Sequence, residues 1–121
     1  MTELQSLDPQ TAVEMYLDER RSDLAEKSLQ NHKYRLDTFV EWCEEEDIDN
    51  INILTGRHLH RYRHWRGSQV NPVTLRTHLA TLRVFLGFCA RIDAVENGLR
   101  EKVMLPELND GQDARDVRLD E

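Results

Sequence analysis

Three histidines, His58, His60 and His64, are the residues of this sequence that most invite a chemical reading. His60 and His64 are four apart, so on a helix they share a face as a zinc pair would. No third ligand follows at a familiar spacing and arginines fill the positions between, so no metal is assigned. The acidic run at residues 44–47 could meet a divalent ion, but it lacks the alternate-position ligands and the glycine of a calcium loop. Enzyme motifs are missing as well. The five glycines never cluster into a phosphate-cradling loop. Cys43 and Cys89 sit in apolar helical patterns, and no serine lies in an elbow sequence, so there is no nucleophile–base pair. The sequence assigns no catalytic residue and no cofactor.

Charge is more informative. Residues 51–92 contain no Asp or Glu, yet carry seven arginines and four of the five histidines. The flanks are acidic, and the whole chain has a formal net charge of −7. A positive surface of this kind on a small protein meets a polyanion. Thr74, Arg76, Thr77, Ala80 and Arg83 fall off the apolar stripe of one predicted helix, with Arg76 and Arg83 seven residues apart. Small residues allow close approach to a groove, and arginine forks onto phosphate or guanine. A second helix opens with Lys27, Ser28, Gln30, Asn31, Lys33 and Arg35 and has no acid among them. Two such cationic, amide-rich helix halves could straddle a duplex backbone. Lys27, Lys33, Arg76 and Arg83 are the expected phosphate contacts, with Asn31, Thr74 and Thr77 close enough to touch sugar or base edges, and Ser28 and Arg35 complete the expected DNA-binding set.

The elements that must position these residues are all helical. Asp8-Pro9 and Asn71-Pro72 each pair an N-cap with a proline at the first helical position. Ala12, Val13, Tyr16 and Leu17 make the stripe of a first helix that ends near Arg20-Arg21. A second helix starts within residues 22–28, capped by an Asp23–Glu26 capping box or by Ser28. Leu29, His32, Leu36, Val40 and Cys43 line its inner face to about Glu46, where a run of acids predicts a frayed, solvated end. Residues 48–54 read as a loop whose isoleucines plug the core. Thr55 caps a third helix over about residues 56–66, with Leu59, Tyr62 and Trp65 inward. The fourth runs to Ile92 on Leu75, Leu79, Leu82, Phe85, Leu86 and Cys89. Asn97-Gly98 is a turn, and residues 99–105 have room for one more short helical turn. The expected architecture is all-α: a four-helix orthogonal bundle over residues 1–106, then a polar linker over residues 107–121.

Taken in order, these stretches resemble the N-terminal core-binding domain of tyrosine recombinases of the phage-integrase and Xer type, the SAM-like integrase N-terminal domain. Glu19-Arg20 closes the first helix, and Leu24-Ala25-Glu26-Lys27-Ser28-Leu29 opens the second, which continues through His32, Leu36 and Phe39 to Glu41-Trp42-Cys43. The last helix reads Thr74-Leu75-Arg76-Thr77-His78-Leu79-Ala80-Thr81-Leu82-Arg83-Val84-Phe85-Leu86-Gly87-Phe88-Cys89, and Val103-Met104-Leu105-Pro106 follows. The resemblance covers about residues 10–106. Ala25, His32, Arg35 and Gly98 depart from the family's usual Ser, Tyr, Asp and Pro. It implies a module that lies against one side of double-stranded DNA with helices two and four toward the major groove. It also implies a C-terminal catalytic domain of the same parent protein, which Leu119-Asp120-Glu121 approaches, and other recombinase protomers as partners on DNA. The chain itself is then expected to do no chemistry.

Bulk composition fits. No apolar run reaches the roughly 20 residues of a membrane span, and the cysteines read as reduced core residues of a cytoplasmic protein. Lys occurs only at Lys27, Lys33 and Lys102 while acids abound, a composition suited to high intracellular salt and a halophilic source. Two other readings are carried forward. One is a helical protein–protein module whose Arg/His helix docks on an acidic partner. The other is a metal-dependent regulator using His58, His60 and His64.

Overall fold

Helix starts are set by local chemistry. Asp8 and Asn71 each accept a backbone N–H from three residues on, Thr11 at 3.0 Å and Thr74 at 2.8 Å. The proline that follows each cap has no N–H to leave unsatisfied. These caps open α1 (Pro9–Arg20) and α4 (Pro72–Arg91) in the computed structural model, which describes residues 3–108. Thr55 opens α3 (Gly56–Gly67) with a reciprocal capping box: its hydroxyl accepts from His58 N–H at 3.4 Å, and His58 Nδ1 accepts from Thr55 N–H at 3.1 Å.

The second helix, α2 (Glu26–Glu45), begins differently from expectation. Its N-cap is Ala25, with no side-chain cap from Asp23 or Ser28. Instead the N–H groups of Asp23 and Leu24 both bond to the Arg20 carbonyl, at 2.9 and 3.0 Å. The chain winds around the end of α1, which takes up the Asp23 N–H that a capping box would have used, and the first turn of α2 has no side-chain cap.

The acidic end of α2 is also ordered where fraying was expected. Asp47 takes the left-handed conformation (φ 59), Ile48 N–H reaches back to Cys43 O at 2.8 Å, and Asp47 N–H to Glu44 O at 3.2 Å. That is a Schellman motif, which satisfies the last carbonyls of a helix. α4 ends the same way, with Asp93 at φ 64, Ala94 N–H to Cys89 O at 2.8 Å and Asp93 N–H to Ala90 O at 3.1 Å. In both, a buried cysteine lies four residues before the left-handed aspartate and an apolar residue follows it.

Between α2 and α3 the loop contains a 3₁₀ turn, Ile51–Ile53. Ile48 and Ile51 are buried as expected, and Leu54 with them, but Ile53 is 49% exposed. Asn50 and Asn52 hold this turn to its neighbours. Asn50 Oδ1 accepts from Leu7 N–H and Asn52 N–H, while Asn52 Nδ2 donates to the carbonyls of Gln5 and Ala94. Amide side chains thus bind the N-terminal segment to the turn that follows α4.

The core is built around an aromatic seam. Phe39 and Trp42 of α2 meet Tyr62 of α3 edge-on, at centroid distances of 5.0 and 5.5 Å, and Tyr16 of α1 meets Phe85 and Phe88 of α4. Edge-to-face pairs of this kind add to ordinary burial. Cys43 and Cys89 are free and buried, and burial pushes both thiols up to about 12. After α4, Gly98 takes φ 87 and a second 3₁₀ turn, Leu99–Lys102, folds back on the bundle. Its Arg100 lies across Gly87 of α4, where a Cβ would come within 3.0 Å of the guanidinium. The described residues form four α-helices and no strand, and no helix is long and apolar enough to cross a membrane. Residues 109–121, most of the expected linker, lie outside the described residues.

Candidate nucleic-acid interface

On α4 the buried stripe of Leu75, Leu79, Leu82 and Leu86 leaves a ridge pointing away from the core. Val73, Thr77, Ala80 and Val84 follow one another along it at helical spacings of three and four. Val73 and Val84 are 39% and 43% exposed. The Thr77 hydroxyl donates to the Val73 carbonyl at 3.2 Å, so it is already satisfied. The ridge carries no charge.

Cations line both flanks of that ridge. Arg76 and Arg83 occupy the flank toward the C-terminal segment, where Arg100 joins them across Gly87. Arg76 Nη1 donates to the Pro106 carbonyl at 2.7 Å, and Arg83 is half-buried with its Nε unpartnered. The other flank belongs to α2. Lys27, Asn31, Tyr34, Arg35 and Thr38 share one stripe at three- and four-residue spacings, with Ser28 seven residues before Arg35. Arg35 Nη1 donates to Thr81 Oγ1 of α4 at 3.1 Å, which fixes this stripe beside Thr74 and Thr77.

The expected contact residues therefore divide into groups. Lys27, Ser28, Asn31, Arg35, Thr74 and Thr77 come together along the α2–α4 seam. Arg76 and Arg83 face the ridge from its far side. Lys33 stands apart: it lines a shallow groove with Thr11, Glu14 and Asp18 of α1, and its amine sits 2.7 Å from Asp37.

Ion pairing divides the cations, although Arg20, Arg57, Arg63 and Lys102, away from this face, also have no carboxylate partner among the described residues. Arg21, Lys33, Arg61 and Arg91 each pair with a carboxylate, at 3.5, 2.7, 2.6 and 2.9 Å. Among the described residues, Lys27, Arg35, Arg76, Arg83 and Arg100 have no carboxylate within 4.0 Å.

Two residues at this seam carry no expectation from sequence. His78 is only 5% exposed, faces Tyr34 edge-on at 5.8 Å, and has an unpartnered Nδ1. Burial, with Arg66 and Arg35 close by, pushes it down to about 4. Arg66 of α3 is 9% exposed and also lacks a carboxylate partner among the described residues. A signal for His78 was present: it lies three residues after Leu75 and four before Leu82, on the apolar stripe itself. Of the α3 histidines, His58 serves as the capping partner of Thr55, and burial lowers its pKa, which suits an acceptor. His60 and His64 are exposed, and no group of three or more metal-ligating side chains forms among the described residues.

The sequence matches the family model of the phage integrase N-terminal SAM-like domain over residues 13–92. The structure is similar to the crystal structure of the N-terminal domain of a phage integrase/site-specific recombinase from Haloarcula marismortui. The two share 45% sequence identity and superpose with a TM-score of 0.81, over 84% of this chain and 99% of that one. No curated protein matches the sequence.

Proposed function

This chain belongs to the phage integrase N-terminal SAM-like domain family, and on that premise we propose that it grips one side of a DNA duplex for a site-specific recombinase. The uncharged α4 ridge between two flanks of unpaired cations carries this reading. A helix seated in a groove has a phosphate backbone on either side of it, so it needs small residues along its crest and cations on both flanks. Val73, Thr77, Ala80 and Val84 suit the crest. Arg76 and Arg83 on one side, with Lys27 and Arg35 on the other, suit the two strands. Asn31, Thr74 and Ser28 lie close enough to contribute hydrogen bonds to sugar or base edges.

The module does no chemistry in this reading. Strand cleavage and rejoining belong to a catalytic domain of the same recombinase, and other protomers on the same DNA are its further partners. Its work is cytoplasmic, and its acidic remainder suits a halophile's high-salt cytoplasm. In molar salt the Debye length shrinks to about 3 Å, so a cation acts only where it touches phosphate.

Fluorescence anisotropy with a labelled duplex in low salt tests the reading. Arg76→Glu with Arg83→Glu should weaken binding by at least tenfold, because both residues then repel the backbone they should neutralise. Helical circular dichroism should be retained. Unchanged DNA affinity would sink the proposal and leave the protein–protein module standing.

A further inference from the structure

Where α2, α3 and α4 meet, three nitrogen-rich side chains converge from three helices. Gly67, at the end of α3, lies against Leu75 of α4, where a Cβ would stand 3.4 Å from the leucine methyl. Arg66 therefore arrives one helical turn from His78. Arg35 reaches the same turn of α4 through its bond to Thr81, three residues past His78. Tyr34 closes the seam with its ring edge-on to the imidazole.

The hydrogen-bond ledger of this notch is incomplete. His78 Nδ1 and Arg66 Nε are both buried and have no partner. Arg66 Nη1 donates to Gln69 Oε1 at 2.8 Å, and Arg35 Nη1 to Thr81. No carboxylate lies within 4.0 Å of either guanidinium among the described residues. Leaving a buried donor unsatisfied is costly, and two guanidiniums beside an imidazole disfavour its protonation. An oxyanion would answer all of these deficits together, because it supplies several acceptors and a compensating charge.

We propose that Arg35, Arg66 and His78 form a phosphate notch that takes one backbone phosphodiester of the bound duplex. The proposal rests on the DNA-binding reading and deepens it, since it brings α3 into the contact through Arg66. It also gives the seam a contact of a different kind from the exposed arginines. Charges that are partly buried are screened less by salt. The notch should therefore hold its phosphate at salt concentrations where Arg76 and Arg83 have lost most of theirs.

Two measurements on the described chain test this. In the first, inorganic phosphate is added in chloride buffer while NMR follows the His78 ring nitrogens and Arg66 Nε. Saturable shifts at both, with no response to added chloride, are expected; no shift at either overturns the notch. In the second, Arg66→Gln and, separately, Arg35→Gln are titrated with the labelled duplex. Each should lose about tenfold in affinity and lower the salt slope by about one. Arg35 is only half-buried, so its variant keeps the test alive if Arg66→Gln fails to fold. If both folded variants bind like wild type while the Arg76/Arg83 double variant does not, the notch is wrong and the DNA reading survives. If wild type binds no duplex at all, the DNA reading itself fails and the proposal goes with it.

Discussion

Along the α1 face, Lys33 sits 2.7 Å from Asp37, and Arg91 at the end of α4 sits 2.9 Å from Glu19, with Arg20 the cation of α1 left unpaired; along the α2–α4 face, Arg35, Arg66, Arg76 and Arg83 meet no carboxylate within 4.0 Å among the described residues. The chain has 23 acids against 16 Lys and Arg, so the shortage of partners near α4 is local. Exposed ion pairs add about 0–1 kcal/mol each, so pairing on the α1 side has little to do with stability. What pairing changes is availability. A cation already holding a carboxylate must give it up to hold a phosphate, and one without a partner need not. The two sides thus differ in what they are free to bind.

The sharpest way to break this comparison is to put an acid where none exists. Thr77→Glu places a carboxylate on the exposed α4 ridge, between both cationic flanks, without touching the core. It would offer Arg76 or Arg35 an internal partner and present a like charge to phosphate. Duplex affinity by anisotropy should fall by about tenfold to a hundredfold, since like-charge juxtaposition at an interface costs several kcal/mol. An affinity within twofold of wild type would mean that α4 does not face the DNA.

The seam also predicts a pH response of its own. His78 is held near 4 in the folded protein, chiefly by burial, and titrates near about 6.5 when unfolded. Between these values the unfolded chain binds a proton that the folded chain refuses. Stability is therefore unaffected above about pH 6.5, falls as pH drops below it, and the loss is complete by about pH 4. At pH 5 the penalty is on the order of 2 kcal/mol. Urea denaturation at pH 7 and pH 5 in chloride buffer should show that loss in wild type and not in His78→Gln. His32 and His58 are also lowered by burial, but they are common to both proteins and cancel in the difference.

A smaller effect concerns the acids themselves. Asp47 and Asp93 occupy left-handed positions that glycine fills without steric cost. They also add negative charge at helix C-termini, where it is unfavourable. Asp47→Gly and Asp93→Gly should each stabilise the fold by about 0.5–1 kcal/mol in low salt, read as a rise in urea midpoint. No gain at either position would mean that the aspartate side chains contribute something the Schellman geometry does not require.

How much of this could be read from the sequence depends on how local each cause is. Asp8-Pro9, Thr55 and Asn71-Pro72 mark helix starts because a cap acts within three residues. The start of α2 is not legible because no side chain caps it, and the turn before it is closed by the Arg20 carbonyl, a backbone group that looks the same in every sequence. The ordered end of α2 was missed because its left-handed residue is an aspartate rather than a glycine. For the interface, the sign of the charge was legible in the acid-free window. Its division into flanks was not, because that depends on which neighbours cover each side of α4. Lys33 shows the limit: its place among the cations of early α2 is evident, but the groove against α1 that removes it from them is a tertiary fact. Arg66 and His78 required the meeting of three helices.

Lys33 therefore supplies the subtlest test of the comparison. It is as cationic as Lys27 and only six residues away, yet it lies on the α1 flank with its amine on Asp37. If mere positive charge on α2 drives binding, Lys33→Ala should weaken duplex affinity as much as Lys27→Ala. If position and pairing decide, the two will differ. Lys27→Ala should lose about two- to fivefold and lower the salt slope by about one, as the loss of a single phosphate contact does. Lys33→Ala with Asp37→Ala, which removes a neutral pair, should change affinity by less than about twofold and stability by no more than about 0.5 kcal/mol. Equal losses from the two lysine sites would erase the distinction between paired and unpaired cations and leave a duplex held by net charge along α2.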